Sequence, residues 1–163
     1  MGQRVMSKPF AIASILPNPP GFLGISTSEP ISMPRPLLGM RATCGFPSPA
    51  EDHMVDELDL SKLCITNPNA TIFVEADSGA SMIDFGIFPG DKLIIDRSIN
   101  AKHGDIAMVL WDGGYMIKKL SIRGSRVQLI SGNPDNPPIL VHPEAEFSVI
   151  GVVTWSFKKQ FRR

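Results

Sequence analysis

Apolar and polar positions alternate in short runs over the second half of the chain. Six runs are rich in β-branched and aromatic residues and predict strands at 71–76, 92–96, 105–111, 115–122, 126–131 and 147–155. The segments between them have the composition of turns, namely Pro89–Gly90–Asp91, Asp112–Gly113–Gly114, Arg123–Gly124–Ser125 and the loop from Gly132 to Pro138. Short strands at close spacing, without intervening helical segments, predict a mostly β domain arranged as a sandwich or a partly closed barrel.

One turn gives a clear signal, and one stretch before the strands is ambiguous. The Asp112–Gly113–Gly114 turn lies between apolar runs, which is a strong signal for a hairpin. The stretch 51–63 is acidic and less regular, and it fits either one helical turn or an irregular edge. Its candidate core-facing positions are Met54, Leu58 and Leu60.

The first 43 residues differ in composition from the rest. Seven of the fifteen prolines precede Cys44, and this stretch contains four basic residues against the single acid Glu29. Proline fixes φ and removes an amide donor, so this density predicts an extended or disordered arm rather than a packed domain. We therefore divide the chain into an arm, 1–44, and a β domain, 45–163.

Composition excludes several functional classes. The chain has 163 residues, 43% of them hydrophobic, and a formal net charge of zero, which suits one domain with no global attraction to nucleic acid. No apolar run approaches the roughly 18–20 residues that a membrane helix needs. Two cysteines and three dispersed histidines predict no metal site, and we expect no cofactor. The apolar stretch 10–16 is short for a secretory signal, so we expect a cytoplasmic protein.

A first candidate for chemistry is Ser81, in the segment 73–87. A predicted strand ends before Ser78–Gly79–Ala80, and the serine follows at the turn. Glycine permits the close approach of another backbone, as a serine nucleophile requires. The amide groups of Ala80 and Ser81 could then stabilise a developing oxyanion. An ordinary serine-containing turn fits the same residues.

A second candidate is the pair Lys118 and Lys119, inside an otherwise apolar strand. Side chains of a strand alternate between its faces, so at most one of the two points inward. A lysine with the usual pKa of about 10.4 is neutral in about one molecule per thousand near pH 7.4. Burial would lower the pKa and make the amine a usable base. Two solvated lysines on an edge strand are the alternative.

A third candidate is the segment 42–50, which contains Cys44 and Gly45 followed by Pro47 and Pro49. The two prolines favour an extended backbone, and the glycine has no side chain to block a close approach. Such a segment is similar to a protease substrate strand. An ordinary linker has the same composition.

The three candidates occur in a characteristic order. Cys44, Ser81 and Lys118 follow one another at gaps of 37 and 37 residues. This order resembles the UmuD-like branch of the LexA family of self-cleaving serine–lysine peptidases. The resemblance runs from Cys44 to about Trp155 and includes CGFPSPA, SGASMID, PGDKLIIDRSI, AKHGDIAMV, IKKL and IGVVTW. Two departures are Ala80, where the family often has a polar residue, and the longer arm.

The resemblance implies a role for each candidate. The scissile bond would be Cys44–Gly45, with Ser81 as the nucleophile and Lys118 as the general base. The backbone amides of Ala80 and Ser81 would form the oxyanion site, and Lys119 would face away. The fold would be the mostly β LexA/signal-peptidase-like peptidase domain, assembled as a homodimer.

The resemblance also implies a cellular role. A RecA–single-stranded DNA filament would stimulate cleavage during the SOS response to DNA damage, and the product 45–163 would be an accessory subunit of a Y-family translesion DNA polymerase. We expect no direct binding to nucleic acid and no membrane association. The alternatives are a non-cleaving interaction module of the same fold and a LexA-type repressor fragment. A LexA-type repressor would need a helix-turn-helix domain, and a signal peptidase would need a membrane anchor.

We predict that His103 lies in a turn and that Cys64 belongs to the core.

Overall fold

The structure, a computed structural model, describes residues 22–25, 32–38 and 54–161, with side chains except at 22–25, 36–38 and 54–56. These parts of the chain contain the strands β1 Phe22–Ile25, β2 Arg35–Leu38, β3 Met54–Leu58, β4 Thr71–Glu75, β5 Lys92–Asp96, β6 Ile106–Trp111, β7 Gly114–Arg123, β8 Arg126–Ile130, β9 Ile139–Val141 and β10 Phe147–Phe157. A short helix, α1, spans Leu60–Cys64, and two 3-10 turns span Pro68–Ala70 and Ile83–Phe85.

Eight of these strands form one antiparallel sheet in the order β1-β4-β5-β10-β6-β7-β8-β9. Strands β2 and β3 form a separate antiparallel pair. The prediction of a mostly β domain is confirmed, and each of the six predicted strands is present. Strands β1, β2, β3 and β9 were not predicted from the sequence.

Two tight hairpins set the register of the strands that matter most for the site. Trp111 pairs with Gly114, so Asp112 and Gly113 alone form the turn between β6 and β7, both with positive φ (47° and 76°). This is the turn type that matches the twist of a hairpin, and the predicted hairpin is confirmed. Between β7 and β8, residue 123 pairs with residue 126 across a second two-residue turn.

Apolar side chains form two clusters. Strand alternation in β6 illustrates the division, because Ala107 and Val109 belong to one cluster while Met108 belongs to the other. The buried members of the larger cluster are Ile72, Val74, Met82, Ile87, Leu93, Ile95 and Met108. The buried members of the smaller cluster are Ala107, Val109, Leu120 and Leu129. Strand β7 therefore has apolar neighbours on both sides.

The stretch 51–63 follows its prediction only in part, since the predicted helical turn is present but a strand precedes it. It contains β3 and the start of α1, which Asp59 caps by accepting a hydrogen bond from the Ser61 N–H. Leu60 is 58% exposed, so its assignment to the core is wrong; it opens a five-residue helix in which Cys64 is the buried residue. Leu58 is half-buried, and the side chain of Met54 lies outside the described residues. The assignment of Cys64 to the core is confirmed.

Two strands of the described structure, β1 and β2, belong to the arm 1–44. Both pair with strands of the β domain, β1 with β4 and β2 with β3. None of the helices in the described ranges has the length and apolarity needed to cross a membrane.

Candidate active site

Ser81 lies where an exposed loop meets the core. The chain leaves β4 at Glu75 and continues through exposed residues 77–80 to Ser81, which is half-buried. The next residue, Met82, is 4% exposed and belongs to the larger apolar cluster. Burial of Met82 therefore fixes one end of the loop that presents the serine. We call residues 77–82 the serine loop.

The serine loop is fastened to the segment 131–133, which follows β8. The Gly132 N–H donates to the Ser81 carbonyl oxygen at 2.6 Å. The Asn133 side chain donates from Nδ2 to the Ala80 carbonyl oxygen at 3.2 Å. In return, the Gly132 carbonyl accepts the Asp84 N–H at 2.9 Å. These bonds join elements about 50 residues apart and leave the loop little freedom.

The same contacts leave the N–H groups of Ala80 and Ser81 available. The carbonyl oxygens of Ala80 and Ser81 are engaged, but their N–H groups donate no hydrogen bond to any other described residue. Free N–H groups beside a nucleophile are what an oxyanion site requires. The roles assigned to Ala80 and Ser81 in stabilising an oxyanion stay predictions.

Glycine is required at position 132 for a steric reason. A Cβ atom there would lie 2.7 Å from Cδ2 of Phe85, closer than carbon atoms approach in real side chains. Phe85 belongs to the 3-10 turn after the serine loop and packs against the larger apolar cluster. The absence of a side chain at Gly132 thus lets the end of β8 lie directly on the serine loop.

Lys118 is buried in the middle of β7. It pairs with Ala107 of β6, is 7% exposed, and forms no ion pair with a carboxylate in the described part of the chain. Its Nζ donates to the hydroxyl oxygen of Ser131 at 3.0 Å. Burial lowers the pKa of Lys118 below its usual value, because desolvation penalises the charged ammonium. The amine is therefore more readily neutral than that of an exposed lysine.

Lys119 has different surroundings. It is half-buried, and its Nζ lies 4.8 Å from the centre of the Phe85 ring, within the range of a cation–π contact. Adjacent residues of a strand project from opposite faces, so the two lysines have different partners. Ser131 contacts Lys118, and Phe85 contacts Lys119.

Ser81 and Lys118 are linked indirectly, through two consecutive residues that follow β8. Lys118 bonds to Ser131, and the next residue, Gly132, bonds to Ser81. Within residues 54–161 no hydrogen bond joins Lys118 directly to the Ser81 hydroxyl. The structure thus brings the serine loop and the lysine strand to the same end of β8.

Ser81 lines a cleft of about 220 Å³. Other residues that line it include Val74, Met82, Ile87, Met108, Tyr115 and Ile117. Most of the walls are apolar, but Glu75 and Asp77 also line the cleft; β7 contributes Tyr115, Met116 and Ile117, and Lys118 is not among the lining residues. A segment of polypeptide with small or apolar side chains would suit such a cleft.

The other positions that the sequence analysis named are Cys44, Gly45 and His103. Cys44 and Gly45 lie outside the described residues. His103 lies in a turn, as predicted, and its Nδ1 accepts the Ile122 N–H at 3.0 Å, which is a structural role. No group of three metal-ligating side chains occurs among the described residues.

Sequence reasoning missed Ser131, Gly132 and Asn133 as parts of the site. Residue 131 was assigned only to the end of a strand, and 132–133 only to a loop. The available signal was the tight turn at Gly124–Ser125. Counting pairs back from that turn places residue 131 opposite Lys118.

Comparison with known proteins gives a consistent result. Residues 36–154 match the family described as peptidase S24-like. The protein SamA of Salmonella typhimurium is 40% identical over 126 residues, which cover 77% of this chain and 86% of SamA. ImpA of Escherichia coli is 40% identical over 121 residues, covering 74% and 81% of the two chains. The LexA repressor of Bordetella avium is 34% identical over 117 residues, covering 72% of this chain and 54% of the repressor.

Proposed function

Because the chain belongs to the peptidase S24-like family, in its UmuD-like branch, we propose that it is a serine peptidase that cuts its own Cys44–Gly45 bond. The observation that carries the proposal is the buried amine of Lys118, held at the end of β8 that also holds Ser81. A buried lysine without a carboxylate partner is costly for stability, and such groups cluster at functional sites.

The proposed reaction is one acyl transfer followed by hydrolysis. Neutral Lys118 takes the proton of the Ser81 hydroxyl as its oxygen attacks the Cys44 carbonyl. The amides of Ala80 and Ser81 stabilise the negative oxygen of the tetrahedral intermediate. Lys118 then protonates the leaving amine of Gly45, and water releases the acyl group from the serine.

Ser131 has a supporting part in this mechanism. Its hydroxyl can accept from the lysine ammonium and can also donate to the neutral amine, because a hydroxyl both donates and accepts. The amine therefore keeps a partner in both protonation states. We assign Ser131 the role of positioning Lys118 relative to the serine loop.

The proposed cellular role is SOS mutagenesis. A RecA–single-stranded DNA filament would stimulate the cut, and the product 45–163, as a homodimer, would be an accessory subunit of a Y-family translesion DNA polymerase in the cytoplasm. This role is supported by the similarity to UmuD-like relatives such as SamA and ImpA.

A second candidate function is a non-cleaving interaction module. The observation in its favour is that the Lys118 amine bonds to Ser131 and not to the Ser81 hydroxyl. Under this alternative the serine and lysine are structural remnants, and the apolar cleft would bind a segment of another protein.

Intact-mass spectrometry of the purified protein separates the two functions. The protein is incubated at increasing pH, and in parallel with RecA, ATP and single-stranded DNA. We expect a fragment that begins at Gly45, formed faster at higher pH and faster with the filament than with RecA lacking DNA. Ser81→Ala should abolish it. Absence of this fragment under every condition would favour the interaction module.

A further inference from the structure

Asp59 connects the N-terminal arm to the β domain. The residue as a whole is 8% exposed and lies between β3 and α1. One oxygen, Oδ1, accepts both the N–H and the hydroxyl of Ser61. The other oxygen, Oδ2, accepts the Ser32 hydroxyl at 2.6 Å and the Met33 N–H at 3.1 Å. One buried carboxylate thus joins the first turn of α1 to a segment 26 and 27 residues earlier in the chain.

Both segments lower the pKa of Asp59. The hydroxyl of Ser32, and then that of Ser61, hold the pKa of this carboxyl well below its usual range. The carboxylate is ionised near neutral pH, and a buried ion is tolerated when donors surround it. Removing the arm would leave Oδ2 without its two donors, so the arm and the carboxylate stabilise each other.

Backbone pairing adds two further attachments. Strand β2 pairs with β3 at four positions, from Arg35 opposite Leu58 to Leu38 opposite Met54. Strand β1 pairs with β4 and forms one edge of the eight-stranded sheet. Strands added in this way bind through main-chain hydrogen bonds, as extended peptides do at sheet edges.

The proposed cut separates these partners. Strands β1 and β2, with Ser32 and Met33, precede the Cys44–Gly45 bond, whereas β3, β4 and Asp59 follow it. The two hydrogen bonds to Oδ2 of Asp59 and both strand pairings would therefore join the two products of cleavage.

We propose that the β domain holds the arm as a docked peptide, so that fragment 1–44 stays bound to 45–163 after the bond between them is cut. The cut itself rests on the proposed function, whereas the docking does not. Cleavage removes the tether and makes binding concentration-dependent. The two attachments, at β3 and at β4, lie on one short fragment, so release of either strand leaves the other bound and favours rebinding.

The consequence is a nicked complex as the immediate product. Strand β4 keeps its edge covered by β1, and Asp59 keeps its donors from the arm. Exposure of these surfaces would then require a second event that displaces the fragment. Cutting and release are thus separate steps in this proposal.

The test uses a cut that does not depend on self-cleavage. A recognition sequence for a site-specific protease replaces part of 39–53 in the full chain carrying Ser81→Ala. After digestion, native mass spectrometry and size-exclusion chromatography at micromolar concentration measure whether the fragments stay together. We expect co-elution and a native mass equal to the sum of both fragments. Separate elution would overturn the proposal, whatever the outcome for self-cleavage.

Two variants test the part played by the carboxylate. Asp59→Asn removes the charge, and Ser32→Ala removes one donor from the arm without altering the β domain. Each should weaken fragment binding by about tenfold or more, since bonds to charged groups are the stronger ones. Asp135→Asn, at an exposed position in the loop between β8 and β9, is the matched control and should bind normally. Normal binding by both test variants would overturn the assignment to Asp59. Ser32→Ala keeps the test valid if Asp59→Asn fails to fold.

Discussion

The Nζ atom of Lys118 lies 3.0 Å from the hydroxyl oxygen of Ser131, and this bond is formed inside the protein by a residue that is 7% exposed. A lysine amine so placed has lost most of its water, and the hydroxyl is its hydrogen-bond partner. The relationship explains how the amine is held in one position although no described carboxylate pairs with it. It also gives the first prediction.

Ser131→Ala should slow self-cleavage without unfolding the protein. Loss of the hydroxyl frees the amine to move, and small misplacements of catalytic groups can lower rates by about a hundredfold. We expect a decrease of about ten- to a hundredfold at saturating pH. The midpoint of the pH–rate profile should also move to lower pH. The bond to Ser131 stabilises the charged ammonium more than the neutral amine, so its loss lowers the pKa of Lys118.

Ser131→Thr is the control for this prediction. It restores a hydroxyl and should recover most of the rate and the original midpoint. A Ser131→Ala protein with an unchanged rate and pH profile would show that the hydroxyl has no positioning role. Thermal unfolding of each variant checks that the fold is intact.

The two adjacent lysines should behave differently. Lys118→Met should abolish self-cleavage while leaving thermal stability unchanged or increased, because it removes a buried charge that has no carboxylate partner among the described residues. Lys119→Met, which alters the contact with Phe85, should leave cleavage intact. Mass spectrometry after alkaline incubation measures both. Cleavage by the Lys118→Met protein would refute the assignment of the base.

Self-cleavage should increase with pH in a definite range. The base must be neutral, and the neutral fraction of Lys118 rises as pH passes its pKa. Burial lowers that pKa, so the midpoint should fall below the value of about 10.4 expected for an exposed lysine. Initial rates between neutral and strongly alkaline pH, with Ser81→Ala subtracted as background, give the midpoint. A midpoint at or above that of a free lysine would contradict burial as its cause.

Gly132→Ala should damage both stability and cleavage. The added Cβ would lie 2.7 Å from the Phe85 ring, so either the ring or the end of β8 must move. Overpacking of this kind costs about 1–3 kcal/mol. Because Gly132 also bonds to Ser81, we expect the cleavage rate to fall more than the stability loss alone explains.

Gly114→Ala is the matched control, since its added Cβ would meet the Trp111 carbonyl at an ordinary 3.6 Å. Urea denaturation and cleavage rates of both variants complete the comparison. Equal behaviour of the two glycine variants would show that the contact with Phe85 is unimportant.

The sequence predicted the strands better than it predicted their partners. The run 92–96 coincides with β5, because an apolar run bounded by turn residues is local information. Strand β2 contains Pro36 and pairs with β3, more than ten residues later, so no local pattern indicated it. Leu60 was misassigned because a five-residue helix has too few turns to define a buried face.

The candidate site also contains residues that the sequence indicated and contacts that it did not. Ser81 and Lys118 were found through a family resemblance, in which their order along the chain carries the information. The bond from Asn133 to the Ala80 carbonyl spans 53 residues and depends on the whole sheet being in register. Contacts of that kind follow from tertiary packing and have no signature in either segment alone.

The alternation of β7 has a practical consequence for solution experiments. It sets two amines, at residues 118 and 119, side by side in the chain, one enclosed with a hydroxyl and one resting on an aromatic ring. Mild acylating reagents should discriminate between them, so the second serves as an internal standard for the reactivity of the first. Any ligand or partner that exposes the enclosed amine would register as a change in the labelling ratio of these neighbours, within a single peptide.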